Sequence, residues 1–267
     1  MFHQLALNSN TYRGFSLEEA VKGASEAGFK KIELAAVEHT PHVLPDMSER
    51  ELEEIKVLLN RFGMTCVGIG AHSNLMTEEG IENLWKSIDL AEYFASPYLI
   101  TSTGEAHGDK DVIEEEEVLQ KNLQPILKKC EEKNVTLAIE THGNNYATGH
   151  SLMNLVESSG NHSTINYDTA NVIFYGGVMP YEDLRISIEH VGFIHLKDKL
   201  GPHAEWNFPA VGDGDIDFRK IFHILEEGNF KGPISVEIEF TPDGPEDLEE
   251  VNESVRRSFH YLKKLLV

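Results

Sequence analysis

The chain has 267 residues, 40% of them apolar, enough for one large α/β domain whose core needs no disulfide staples. Acidic residues outnumber basic ones 45 to 23, and the formal net charge of −22 repels phosphate backbones, which disfavours a nucleic-acid partner. No apolar run approaches the ~18 residues of a membrane span, and Met1-Phe-His-Gln-Leu-Ala-Leu-Asn8 lacks a basic, then long apolar, leader pattern. The expectation is a cytoplasmic protein without a membrane partner. Cys66 and Cys130 stand alone, match no zinc motif and read as buried small hydrophobes of a reducing compartment.

A first strand is predicted at 4–8. It is followed by Asn8-Ser-Asn-Thr-Tyr-Arg-Gly14, where a doubly wound sheet would carry a glycine-rich loop. Ser16, with Glu19 in the capping-box position, opens a helix, and Ser48 with Glu51 opens another after a strand at 31–35. Strands at 65–69, 98–102, 136–140, 165–168, 193–196 and 234–237 then alternate with amphipathic helices at 78–94, 115–133, 149–158, 181–190, 218–227 and 248–265. Strict alternation means a parallel sheet covered by helices. Eight units of roughly 30 residues match a (β/α)8 barrel, a TIM barrel in α/β class, here a single domain over residues 1–267. Acidic clusters at 49–54, 114–117 and 246–253 fall on helices and read as solvated faces. The longest helix-free stretch, 197–217, is long enough to serve as a lid or specificity segment.

Four strands end on side chains that can hold a metal: Leu137-Ala-Ile-Glu140, Ile165-Asn-Tyr-Asp168, Phe193-Ile-His195 and Ile234-Ser-Val-Glu237. In a barrel the active site lies at the C-terminal ends of the strands, so Glu140, Asp168, His195 and Glu237 would meet on one arc of the rim. Three carboxylates and one imidazole suit Mn²⁺ or Mg²⁺, with Co²⁺ or Zn²⁺ as alternatives. Each alone is as often a helix cap or a lysine partner; four on consecutive strands form a pattern. Glu239 points to the same side as Glu237 and is its shallower rival.

These residues resemble the xylose-isomerase-like barrel superfamily, a group broadly described as sugar-phosphate isomerases and epimerases. The resemblance runs over the whole chain. It is carried by Gly28-Phe-Lys-Lys-Ile-Glu-Leu34, Ile139-Glu-Thr-His142, Asp168-Thr-Ala-Asn171, His195-Leu-Lys-Asp198 and Gly212-Asp-Gly-Asp-Ile-Asp-Phe218. It implies that Glu140, Asp168, His195 and Glu237 bind one divalent ion and that Glu140 and Glu237 also move protons, as the catalytic pair. Departures narrow the choice. Asn171 stands where the AP-endonuclease branch has a metal-binding His. The Pro-Gly-Arg of hydroxypyruvate isomerases and the Arg of ketose 3-epimerases, expected after His195, are replaced by Lys197-Asp-Lys-Leu-Gly201. The Lys-Asp version looks closer to the inosose dehydratases.

The implied chemistry is removal of a proton from the carbon beside a ketose carbonyl, aided by a Lewis-acidic ion. Return of the proton to the same carbon gives an epimer, and to the next carbon an isomer; loss of a β-hydroxyl gives dehydration. The leading expectation is a sugar isomerase or epimerase, then a dehydratase of the inosose type, then a non-catalytic sugar-binding barrel. The substrate expected is a small sugar, unphosphorylated because no phosphate cradle is evident. His72, His142, Asn171, Lys197 and Trp206 are candidate substrate-binding residues. Structural histidines, a salt bridge from Lys197 to Asp198 or Glu237, and ordinary loop packing of Trp206 and Phe208 are their plainer readings. Glu105 and His107 are weaker candidates for the cleft. A homo-oligomer is a further expectation, since barrel relatives often form dimers or tetramers.

Overall fold

The computed structural model describes residues 1–104 and 116–267. Nine strands are seen among the described residues: β1 Leu5–Asn8, β2 Lys31–Val37, β3 Thr40–Pro41, β4 Thr65–Gly70, β5 Tyr98–Thr101, β6 Thr136–Glu140, β7 Ser163–Asp168, β8 Val191–Leu196 and β9 Ile234–Val236. All pair in parallel except β3, which adds a short antiparallel edge to β2. The order β1-β9-β8-β7-β6-β5-β4-β2 is closed by direct pairing of β1 with β2 through Leu7–Ile32 and Asn8–Glu33. A closed ring of eight parallel strands is a (β/α)8 barrel.

The helices are α1 Leu17–Ala27, α2 Glu49–Arg61, α3 Glu78–Tyr93, α4 Glu116–Lys133, α5 Gly149–Ser159, α6 Asn171–Phe174, α7 Pro180–Ser187, α8 Phe218–Glu227 and α9 Leu248–Leu266. Both expected capping boxes form: Ser16 and Ser48 cap the N3 amides of Glu19 and Glu51, whose carboxylates accept from the capping residues' own amides. α1 stops at Gly28, which takes φ +116, a conformation that costs a residue without a Cβ little.

Alternation along each strand sorts side chains into two cores. Residues facing outward, such as Leu137, Ile139, Ile165 and Ile194, pack under the helices in one continuous apolar layer. Inward-facing Ile100, Ala138 and Phe193, with Tyr98, plug the lower lumen. Each large aliphatic side chain buried this way contributes about 1.5–3 kcal/mol. The upper lumen is polar, and that is where the site lies.

The expected strands and helices stand with small shifts. Gln4 belongs to a 3-10 turn before β1, and its amide donates to the Gly232 carbonyl at 2.8 Å. Glu237 lies one residue past β9, although its amide still donates to the Leu196 carbonyl at 3.2 Å. The helix expected at 181–190 starts at Pro180 and ends in a 3-10 turn, and two short elements, β3 and α6, were not expected. The stretch 197–217 is helix-free, as expected.

Candidate metal centre and active site

β6, β7 and β8 are in register at their C-terminal ends: Glu140 pairs with Asn166, and Asp168 with His195. With Glu237 from the end of β9, the side chains point into the upper lumen. Glu140, Asp168, His195 and Glu237 each offer one ligand atom, and the four atoms lie within 4.8 Å of one another. All four residues are buried. Local hydrogen bonds hold them. Asp168 Oδ1 accepts from the amides of Ala170 and Asn171, both at 2.8 Å, so the turn into α6 fixes the carboxylate. Thr141 Oγ1 accepts from the Asp168 amide at 2.9 Å, and Thr169 Oγ1 from the Lys197 amide at 3.0 Å. Glu237 Oε1 accepts from Asn8 Nδ2 at 2.9 Å and Asn10 Nδ2 at 3.1 Å.

The donor set fits a divalent ion. Asp168 Oδ2 is fully buried and accepts no aligned hydrogen bond among the described residues, although Lys197 Nζ lies 3.0 Å away. Its partner oxygen is held by backbone, so Oδ2 is presented to the cluster. A buried carboxylate oxygen is stabilised by a nearby cation or by a proton; Lys197 supplies one positive charge for three carboxylates, and an oxygen-rich set with one imidazole matches Mg²⁺ or Mn²⁺ chemistry.

Of the five accessory candidates, His72, His142, Asn171 and Lys197 gather around the cluster and Trp206 stands farther out. His72 Nε2 is 2.5 Å from Glu140 Oε2. Asn171 Nδ2 donates to Glu140 Oε1 at 3.4 Å. His142 stands beside His72, ring centroids 6.1 Å apart, with its Nε2 at 3.2 Å from Tyr175 Oη. Lys197 Nζ donates to Glu237 Oε2 at 3.1 Å and Glu239 Oε2 at 2.9 Å. Trp206 is one ring removed, packing edge-on against Phe174 and Phe208, and Phe208 lies beneath Lys197 at 4.9 Å. Asp198 is no partner of Lys197. It faces away and accepts from the amides of Lys199, Gly212, Gly214 and Ile216, tying down the long loop. Glu105 and His107 lie outside the described residues.

The electrostatics follow from burial and crowding. Burial opposes ionisation of Glu140, but the His72 and His195 rings more than offset it and hold its carboxyl well below the usual range. At Asp168 burial wins: despite Lys197, and with Glu140 and Glu237 adding to the effect, its carboxyl is pushed up to about 7. Burial also raises Glu239 in spite of Lys197. At Glu237 burial is outweighed by Lys197 and His195, and the carboxyl is lowered. Burial works against charge on Lys197 and His195. Asp168 and Glu239 nevertheless raise Lys197 well above the ordinary lysine value, and Glu33 and Glu140 do the same for His195. Burial likewise disfavours a charged His72, yet Glu140 raises its pKa.

Sequence reasoning missed Glu33, Asn8, Asn10 and Tyr175. Glu33 carried a readable signal, a charge in the middle of the apolar run Ile32-Glu-Leu-Ala-Ala36. Such a residue needs a buried partner. Asn8 ends β1, Asn10 lies in the 3-10 turn after it and Tyr175 caps α6, and no periodicity encodes their approach to the rim.

Residues 21–265 match the family model described as xylose isomerase-like TIM barrel. The chain is 32% identical over 160 residues to an inosose dehydratase of Clostridium tetani, a match covering 53% of each chain. The matched part thus spans about half the length of that curated relative. Among solved structures, it is similar to a D-allulose 3-epimerase of Methylomonas sp. (TM-score 0.78, 16% identity, covering 98% of both chains). It is also similar to a xylose isomerase-like TIM barrel protein of Mycobacterium smegmatis in complex with magnesium (TM-score 0.74, 16% identity, covering 94% of this chain and 89% of that one). At these identities the structural likeness speaks for the fold. The family model, matched over nearly the whole chain onto a barrel with this rim, places the protein in the xylose isomerase-like TIM barrel family.

Proposed function

We propose that this protein is a divalent-metal-dependent isomerase or epimerase of a small, unphosphorylated ketose. The observation that carries the reading is the buried convergence of Glu140, Asp168, His195 and Glu237 within 4.8 Å. A divalent ion held there would polarise a carbonyl oxygen and so acidify the neighbouring C–H bond. The magnesium in the M. smegmatis neighbour supports an ion of this class. Glu140, held ionised, is the candidate general base that takes the proton. Glu237 is the candidate second carboxyl that returns one. Lys197, already amid the carboxylates, faces the negative charge that develops on the substrate oxygen. His72 and His142 would line the polar side of the mouth, and the half-buried Phe174, Tyr175 and Trp206, backed by the fully buried Phe208, would supply an aromatic wall suited to the C–H face of a sugar. The carboxylates around the rim support a neutral substrate and a protein that binds no nucleic acid.

A second reading is a dehydratase, favoured by the likeness to the inosose dehydratase and by Lys197. After the same proton removal, a β-hydroxyl protonated by the ammonium leaves as water and an enone forms. Proton NMR in D2O with Mg²⁺-loaded protein and a panel of ketoses and inososes separates the two. Deuterium appearing beside the carbonyl together with a new sugar, abolished in Glu140→Gln, is the expected result. Hydroxyl loss with enone signals assigns the dehydratase instead. Exchange that persists unchanged in Glu140→Gln removes the proposed base.

A further inference from the structure

We propose that Glu33 is a positioning residue for the metal centre: by accepting the Nε2 proton of His195 it aims the Nδ1 lone pair at the ion. The inference rests on the metal-dependent reading above and adds a residue to it.

Glu33 lies in β2, across the lumen from β8, with no exposed surface. Both its carboxylate oxygens are 3.0 Å from His195 Nε2. Among the described residues, this carboxylate hydrogen-bonds to nothing else. The other ring nitrogen looks into the cluster: Nδ1 is 2.8 Å from Glu140 Oε1, 3.8 Å from Glu237 Oε2 and 4.0 Å from Asp168 Oδ2. One ring therefore joins two layers of the lumen, a carboxylate below and the candidate ligands above.

The lower layer is shaped to receive Glu33. Its cross-strand neighbour is Gly68, and Gly70 follows on the same face of β4. A Cβ at Gly70 would come within 3.0 Å of Glu33 Oε1, and one at Gly68 within 2.7 Å of Ile100 Cδ1, 3.1 Å of Phe193 Cζ and 3.2 Å of Glu33 Cγ. Neither glycine has the positive φ that would explain it by backbone conformation. The side chain missing at Gly70 leaves the lane through which the glutamate reaches the ring, and Gly68 makes room for Ile100, Phe193 and the glutamate stem together. An imidazole can ligate through a nitrogen only when that nitrogen is bare, and the hydrogen bond on the other nitrogen selects which one it is. A carboxylate in that place also makes the ring a stronger donor to a cation. A buried ion pair serving stability alone would require only charge neutralisation; here the contact is on the nitrogen remote from all three candidate carboxylate ligands.

The test reads the metal and the ring directly. Mn²⁺ affinity is measured by calorimetry for wild type, Glu33→Leu and Glu33→Gln, with circular dichroism to confirm folding. Glu33→Leu should weaken binding about 10- to 100-fold, the usual cost of losing such a partner. Glu33→Gln, whose carbonyl still accepts from Nε2–H, should recover part of it. In parallel, ¹⁵N NMR of histidine-labelled, Zn²⁺-loaded wild type needs no variant to fold. It should show the His195 proton on Nε2 and a bare Nδ1. A proton on Nδ1, or variants that bind Mn²⁺ as tightly as wild type, would overturn the role of Glu33 while leaving the metal reading intact. Wild type that binds no divalent ion would overturn both.

Discussion

Lys197 is the residue whose removal should be felt most sharply. Its ammonium is 3% exposed and sits within 3.1 Å of Asp168, Glu237 and Glu239. Lys197→Met would leave those carboxylates crowded and unneutralised, and breaking a buried pair from one side costs about 3–5 kcal/mol. Urea denaturation of metal-free protein should show that loss, and Mn²⁺ should restore most of it by taking over the neutralisation. Asp168 supplies the pH dependence. Its folded carboxyl is raised to about 7 from 3.8. In metal-free protein the stability it contributes is therefore full below the unfolded value and is lost as pH rises through about 7. Metal binding runs the other way, since it needs Asp168 ionised and His195 neutral, and His195 is held protonated well above its ordinary value. Mn²⁺ should bind at least about tenfold more weakly at about pH 5.5 than at about pH 7.5, with protons released on binding. Calorimetry in buffers of different ionisation enthalpy measures both; equal affinities would contradict the assignment of these ligands.

The loop at 197–217 owes its shape to one buried carboxylate. Asp198 gathers four backbone amides, and Lys199 Nζ donates to the carbonyls of Leu200, Gly201 and Pro202. Asp198→Ala should cost about 2–3 kcal/mol through the stranded amides and speed proteolysis in the loop that carries Trp206. Asp198→Asn should recover part of the loss. The alternation of elements was legible in the sequence because apolar periodicity and capping boxes are local signals, and the four strand-end candidate ligands were legible because each closes such a pattern. Asp198, by contrast, enters the sequence reading only within a motif and, beside Glu237, as one of two salt-bridge partners in the plainer reading of Lys197. Its true partners lie up to 18 residues away, and only the turn through Gly212 and Gly214 brings them in. Glu239 reads in the sequence as the shallower rival of Glu237; in the structure it stands outside the four-residue cluster and shares Lys197 with Glu237. β3 and α6 escaped notice because two- and four-residue elements are shorter than any period they could display.

The whole barrel should respond to the ion as one body. Because the candidate ligands come from β6, β7, β8 and the end of β9, binding would clamp half of the ring. Mn²⁺ at about 100 times its Kd adds about 2.7 kcal/mol to the folded state, or about 5–10 °C in Tm at this size. A thermal scan with and without EDTA measures it, and coincident curves would speak against a resident ion. The ring closes where β1 meets β9 and β2, and Asn8 and Asn10 hold Glu237 across that seam over 229 and 227 residues of sequence. Contacts of such separation carry the largest loop-closure entropy and form late in folding. A ribosome making this chain must expose residue 237 before the last candidate ligand can reach the other three. An ion held by all four would thus be loaded only after that point, from whichever divalent metal the compartment then supplies.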